Sequence, residues 1–399
     1  MDFTPVRVKQ DFPKGRVDDV KSLAAGALWA TDFPTKIKKG MKVAVLAGSR
    51  GIMNIKLIVR TVVDEIKKAG GEPSVVAAMG SHGGGTAEGQ REVLCHLGIS
   101  EETMDCPIVC SGESVLIGTT LEGYPVYVSC PVLQFDGIIA INRIKPHTAF
   151  KGEIESGLLK MLSVGLGGPA GAASVHAQGA KGLRLMVPSI GREVKKRLPF
   201  WGGLAIVENA YEQTYQITGV GNTALEETEK KLLVLAKQLM PSLPFPEIDV
   251  LVVEEMGKNF SGTGMDSNVI NRMRIHGEPE PEGLAIKRIV VLDLADASQG
   301  NATGIGLADF TTKTLVQKID YQATYLNCLT STFVQRAMIP VIMEDEEQAI
   351  KAAIKSLGNV PAKEARLVRI ANTLSLDFLQ VSKSLIPEVH AHPRLEIIE

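Results

Sequence analysis

Three of the seven histidines stand in loops rich in glycine or marked by proline. His82 lies in Gly80-Ser-His-Gly-Gly-Gly85, His147 closes Arg143-Ile-Lys-Pro-His147, and His176 sits among alanines and glycines. An imidazole with an ordinary pKa of about 6.5 can take or give a proton at neutral pH. His82 and His147 each follow, within a few residues, an apolar run that reads as a buried strand. In a parallel sheet the loops after such strands leave one edge, so the two rings can face one cavity. For a lone histidine a hydrogen-bonded structural role is the commoner one. His96 on a helix face, His276 in a turn, and His390 and His392 near the C-terminus read that way.

Lys160 is set between apolar neighbours in Gly157-Leu-Leu-Lys-Met-Leu162. There it either snorkels to water or is buried, and a buried amine has a lowered pKa and is nucleophilic. Gly165-Leu-Gly-Gly168 and Gly171 are spaced like a loop whose unhindered amides approach an anion. The stretch before them, 153–166, reads as helix, which disfavours a dinucleotide fingerprint because that motif needs a strand there. His176 follows Lys160 by sixteen positions, and its shell of small residues implies that something bulky packs there.

The elements that must hold these groups alternate between strand and helix. A strand over 42–47 ends in Gly48-Ser49-Arg50-Gly51, a helix spans about 54–69, a strand 74–78 precedes the His82 loop, and a helix runs 86–97. Further strands are read over 125–129 and 137–142, the second leading to His147. The alternation predicts an α/β protein with largely parallel sheets and ligands at the strands' carboxyl ends. Pro241, Pro244 and Pro246 make a stiff linker after an amphipathic helix over 224–239. The strand pattern restarts at 249–254 and continues at 286–294 and 339–343. Two α/β domains follow, 1–244 and 249–376, with a tail, 377–399, that can pack back on the first. Lys and Arg number 43 against 45 Asp and Glu, and aromatics are 5%, which excludes a general nucleic-acid binder. The charge-free stretch 161–180 has five glycines and Pro169. It reads as a loop and helix near a ligand, not a membrane span. With no secretory signal and five unpatterned cysteines, a cytoplasmic location is expected.

Taken together, Gly80-Ser-His82 with Thr86, Pro146-His147, Ser156-Gly-Leu-Leu-Lys160 and His176 resemble the motif series of the nickel-dependent lactate racemase family, in order and in the lysine-to-histidine spacing. The resemblance is specific over about residues 47–180. It implies two α/β domains with an active-site cleft between them, and a nickel-pincer nucleotide, a pyridinium dithio mononucleotide, as cofactor. By that similarity Lys160 can tether the cofactor and His176 supplies a nickel ligand, with Ser49, Gly165, Gly167 and Gly168 at the cofactor. His82 and His147 become the acid/base pair, Arg50 holds the substrate, and Lys258 in Glu255-Met-Gly-Lys-Asn259 contacts it from the second domain. The implied reaction inverts C2 of a 2-hydroxy acid, a lactate-like or sugar acid, by hydride transfer to and from the cofactor. The implied partners are that substrate and cofactor maturation proteins, with neither nucleic acid nor membrane.

The sequence departs from the family pattern twice. Ala47 stands where a carboxylate often precedes the Arg50 motif, and the stretch from His147 to Lys160 is about three residues longer, carrying Lys151, Glu153 and Glu155. Both departures lie near the reaction centre, so the substrate need not be lactate. A nicotinamide-dependent oxidoreductase using Gly165–Gly171 and a non-catalytic nickel- or nucleotide-binding protein are the competing readings. NAD(H) binding, or nickel binding without exchange of the C2 hydrogen, distinguishes them.

Overall fold

A computed structural model describes residues 5–398. The chain divides into two compact units, residues 14–240 and residues 1–13 with 241–399. The proline-rich linker is therefore a true boundary. The first thirteen residues nonetheless belong with the C-terminal half, and the domain read as 1–244 is corrected to 14–240. The opening strand β1 (Val6–Gln10) accounts for this, as described below.

The 14–240 unit is built on a six-stranded sheet. Its strands are β2 (Lys42–Ala47), β3 (Glu72–Ala77), β4 (Ile108–Val109), β7 (Gly137–Arg143), β8 (Phe200–Glu208) and β9 (Thr214–Val220), in the spatial order β4-β3-β2-β7-β8-β9. All neighbours are parallel except β8 and β9. The buried runs of β2 and β7 carry almost no polar side chains, as strands covered on both faces must. The helix Ile55–Lys68 lays Ile55, Ile58, Val59, Val62, Val63 and Ile66 on this sheet, and Lys67 and Lys68 sit favourably in its last turn. The strand read at 125–129 forms, but outside this sheet. As β6 (Pro125–Ser129) it pairs antiparallel with β5 (Ser114–Thr119) in a separate ribbon.

The second unit holds an eight-stranded sheet. The strands β10 (Glu247–Met256), β11 (Ala285–Leu294), β12 (Phe310–Thr312), β13 (Val341–Met343) and β14 (Leu367–Ile370) run parallel in the order β13-β12-β11-β10-β14. The other flank is antiparallel: β15 (Phe378–Val381), β1 and β16 (Leu395–Ile398) follow β14. The tail thus builds the edge of this second sheet, with β1 between its two strands, and belongs to this unit and not to the first, where it was expected to pack. Among the described residues no single helix is long and apolar enough to cross a membrane; the segments Leu158–Gly165 and Gly168–His176 pass that test only as a pair bent by 103°.

Candidate active site

In the six-stranded sheet the chain steps from β2 to β3 and β4 on one side, and to β7, β8 and β9 on the other. The strand order switches direction between β2 and β7, and the carboxyl ends beside such a switch are where parallel α/β sheets bind ligands. Because β3, β2 and β7 are neighbours in register, Ala47 facing Ala77 and Ile141, their following loops emerge side by side. Those loops carry His82, then Ser49 and Arg50, then His147. Ser49 Oγ and His82 Nδ1 are 2.6 Å apart, which joins the first two loops directly.

The segment with Lys160 and His176 lies across these ends. The helix expected over 153–166 begins only at Leu158. Gly157 is extended, and Ser156 bridges back to Lys145, so the chain before Leu158 is pinned to the turn after β7. Asn142 Nδ2 donates to the Gly157 carbonyl at 2.8 Å, and buried Glu229 accepts the amides of Leu158 and Leu159, capping the helix start. One helical turn, Leu158–Lys160, passes into a π-helical turn, Met161–Gly165, and then into the helix Gly168–His176. Such widened turns recur at functional sites. The sharp bend puts Lys160 and His176 on two helical arms.

The glycines expected to cradle a phosphate have a nearer explanation. A Cβ on Gly165 would lie 2.6 Å from the Ala78 carbonyl oxygen, one on Gly167 2.4 Å from that of Ser163, and one on Gly168, at φ +61°, 2.4 Å from Ser114 Oγ. Gly80, also left-handed at φ +62°, donates its amide to the Gly165 carbonyl at 2.9 Å. These glycines let the segment press onto the end of β3. The stretch before Gly165 is helical, so a dinucleotide fingerprint lacks its strand.

The electrostatics of the site are one-sided. Loss of hydration, reinforced by the Arg50 charge, brings the Lys160 pKa down to about 7. The residue as a whole is half-buried, while its amine is the part that has lost hydration. Loss of hydration first, and Lys160 second, also lower the pKa of His176. Arg50 is lowered by desolvation and by Arg143. Glu208 pairs with Arg143 and accepts the Met53 amide at 2.7 Å, anchoring the Arg50 loop. Arg50 thus disfavours a charged Lys160, and Lys160 a charged His176, which favours an anion beside them. His147 accepts the Ala149 amide at its Nδ1, 3.1 Å away, and its ring lies 4.5 Å from that of Phe150.

Nδ1 of His176 is buried and without a hydrogen-bond partner. Structural histidines are normally satisfied, so this nitrogen is available to a ligand. Among the described residues no group of three His, Cys, Asp or Glu can hold a metal ion. A metal at His176 would need its other donors from a bound group, as a pincer cofactor provides, and the residues present fit such a group. Lys258 stands in the second unit, just past β10, where its amide donates to Ser298 Oγ and its ammonium to Asn327 Oδ1. Glu229, Glu208 and Glu155 all hold the site's backbone; the sequence pointed only to Glu155, as part of the longer stretch before Lys160, and gave it no role. Nothing along the chain marks Glu208 or Glu229, since the Met53, Leu158 and Leu159 amides they accept are distant in sequence.

A largely parallel sheet with two histidines and an arginine on the loops beside its switch point, and a desolvated lysine on the segment across them, defines an α/β protein with a candidate ligand site at that edge. A family model described as the lactate racemase N-terminal domain matches residues 27–158. That segment, about a third of the chain, is similar to the N-terminal domain of lactate racemases. The match includes Ser49, Arg50, His82 and His147 and ends before Lys160. The fold is similar to that of the lactate racemase apoprotein from Thermoanaerobacterium thermosaccharolyticum, with a TM-score of 0.60 at 13% identity, covering 93% of this chain and 99% of that one. No curated protein matches the sequence.

Proposed function

We propose that the protein is a racemase or epimerase that inverts C2 of a 2-hydroxy acid, with His82 and His147 as its acid/base pair. The observation that carries this reading is the meeting, at one sheet edge, of the His82, Arg50 and His147 loops under the bent segment bearing Lys160 and His176. Inversion needs a base at each face of the carbon. Two histidines on loops from β3 and β7, with the Arg50 loop of β2 between them, supply that arrangement. Arg50 orients and offsets the substrate carboxylate; loss of such a group typically costs about 10²–10³ in rate.

Lys160 and His176 hold the nickel-pincer nucleotide, Lys160 through its amine and His176 through a ring nitrogen. When bound, that group supplies a hydride acceptor and donor. His82 takes the hydroxyl proton of one enantiomer, and His147 that of the other. A Lys160 pKa of about 7 leaves much of the amine unprotonated at neutral pH, the form whose lone pair is nucleophilic.

The test is a panel of chiral 2-hydroxy acids given to cofactor-loaded enzyme and followed by circular dichroism. Inversion of at least one member is expected. In that reaction His82→Ala and His147→Ala should each lower racemisation in both directions by about 10²–10⁴. Each should retain the half-reaction of the opposite enantiomer in a single turnover. Two variants with the same enantiomer preference would refute the pairing.

A further inference from the structure

The longer stretch between His147 and Lys160 brings Glu155 into the fold as a buried carboxylate, 1% exposed. Both of its oxygens are used. Oε2 accepts the His147 amide at 2.7 Å; Oε1 accepts the Gly152 amide at 3.3 Å and the Lys237 ammonium at 2.7 Å. Glu155 therefore ties together the two ends of the 147–152 turn. Inside that turn the Ala149 amide donates to His147 Nδ1. A ring nitrogen that accepts a backbone N–H carries no proton, so the neutral ring is protonated at Nε2.

Lys237 comes from the helix Leu225–Leu239, and the same helix supplies Glu229, which caps the turn bearing Lys160. The two positions are eight residues apart, two turns and a little more, and so lie on one side of the helix about 12 Å apart along its axis. One rigid element thereby grips the chain at the His147 turn and again just before Lys160.

We propose that Glu155 and Lys237 are positioning residues that hold His147 in its Nε2–H tautomer. Glu155 closes the turn that brings the Ala149 amide to Nδ1, and Lys237 keeps Glu155 in place. Glutamine cannot replace Glu155, because both carboxylate ends face N–H donors and an amide would turn its own donor toward one of them. In this tautomer Nε2 can donate a proton but has no lone pair to accept one, so within the acid/base role proposed above the held ring is the donor form, and it acts as a base only once Nε2 has given up its proton; the tautomer itself does not rest on that role.

The experiment is nitrogen-15 NMR of the histidine rings in uniformly labelled, cofactor-free protein near pH 8, with the His147 signal assigned by its loss in His147→Gln. Wild-type His147 should show an unprotonated Nδ1 and a protonated Nε2. Glu155→Gln and Lys237→Met should move both nitrogens toward the averaged shifts of a ring exchanging tautomers. Glu153→Gln, which removes a carboxylate from the same loop paired to Lys230 at the surface, should leave the wild-type pattern. If Glu155→Gln does not fold, Lys237→Met decides alone, since Lys237 is partly exposed and its loss is easily borne. A wild-type ring protonated at Nδ1, or an unchanged pattern in a folded Lys237→Met, overturns the proposal. A protein that inverts no hydroxy acid would leave this result intact, so the two readings fail separately.

Discussion

At the scale of single residues, the site is organised by the hydration its cations have lost. Lys160 shows it most clearly. Its folded pKa of about 7 lies below its ordinary 10.5. Between those values the unfolded chain binds a proton that the folded chain does not, so the penalty grows as pH falls from 10.5 to 7 and is constant below. Lys160→Met should therefore stabilise the protein near pH 6, by roughly 1–3 kcal/mol once partial exposure is discounted, and should have little effect near pH 11. Urea unfolding at the two pH values measures this, and equal effects would show that Lys160 is not desolvated. His176 answers to a different measurement. His176→Ala removes a nitrogen that bonds to nothing in the protein, so the variant should melt cooperatively near the wild-type temperature while losing nickel from cofactor-loaded preparations. Full metal occupancy by elemental analysis would remove the ligand assignment.

At the scale of elements, the start of the Lys160 segment depends on a cap supplied from outside. Burial raises the Glu229 pKa to about 7, against the lowering effect of the Leu158 and Leu159 amides. A raised carboxylate binds more protons folded than unfolded between its ordinary 4.5 and 7, so this group's contribution to stability declines as pH rises through that window. Glu229→Gln keeps an oxygen for the amides without the buried charge. It should change stability at pH 8 by less than about 1 kcal/mol or raise it. Glu229→Ala leaves two buried amides without an acceptor and a void beside them, and should cost about 2–4 kcal/mol in denaturant unfolding. Equal losses in the two variants would mean that shape, and not the cap, is what Glu229 contributes.

At the scale of the whole molecule, the two units share the chain unevenly. β1 lies between β15 and β16, pairing Val8 with Leu379 on one side and Ile397 on the other. Deleting residues 1–13 removes a strand from the interior of the eight-stranded sheet and leaves β16 without its neighbour. Hydrogen exchange followed by mass spectrometry should then show protection lost across 378–398 and kept across 42–47 and 137–143. Undiminished protection at 378–398 would contradict the placement of β1.

Much of the site could be read from the chain because it is local. Strand periodicity at 42–47 and 137–142, each followed by turn residues, located the Arg50 and His147 loops, and the interval from Lys160 to His176 survived folding as two helical arms. Parallel alternation also implied one sheet edge for His82 and His147, since the right-handed crossover leaves little choice. Other features came from pairing across long separations. Val126 and Val128 alternate like any sheet strand, yet β6 pairs only with β5, because periodicity reports a buried face and not a neighbour. The Gly165–Gly168 spacing looked like a ligand loop, whereas the close approach of Ala78 and Ser163 is what requires glycine there. Glu155 and Glu229 are unremarkable as letters in a sequence. Only the fold brings buried amides to them, and a carboxylate's role is set by the donors that surround it.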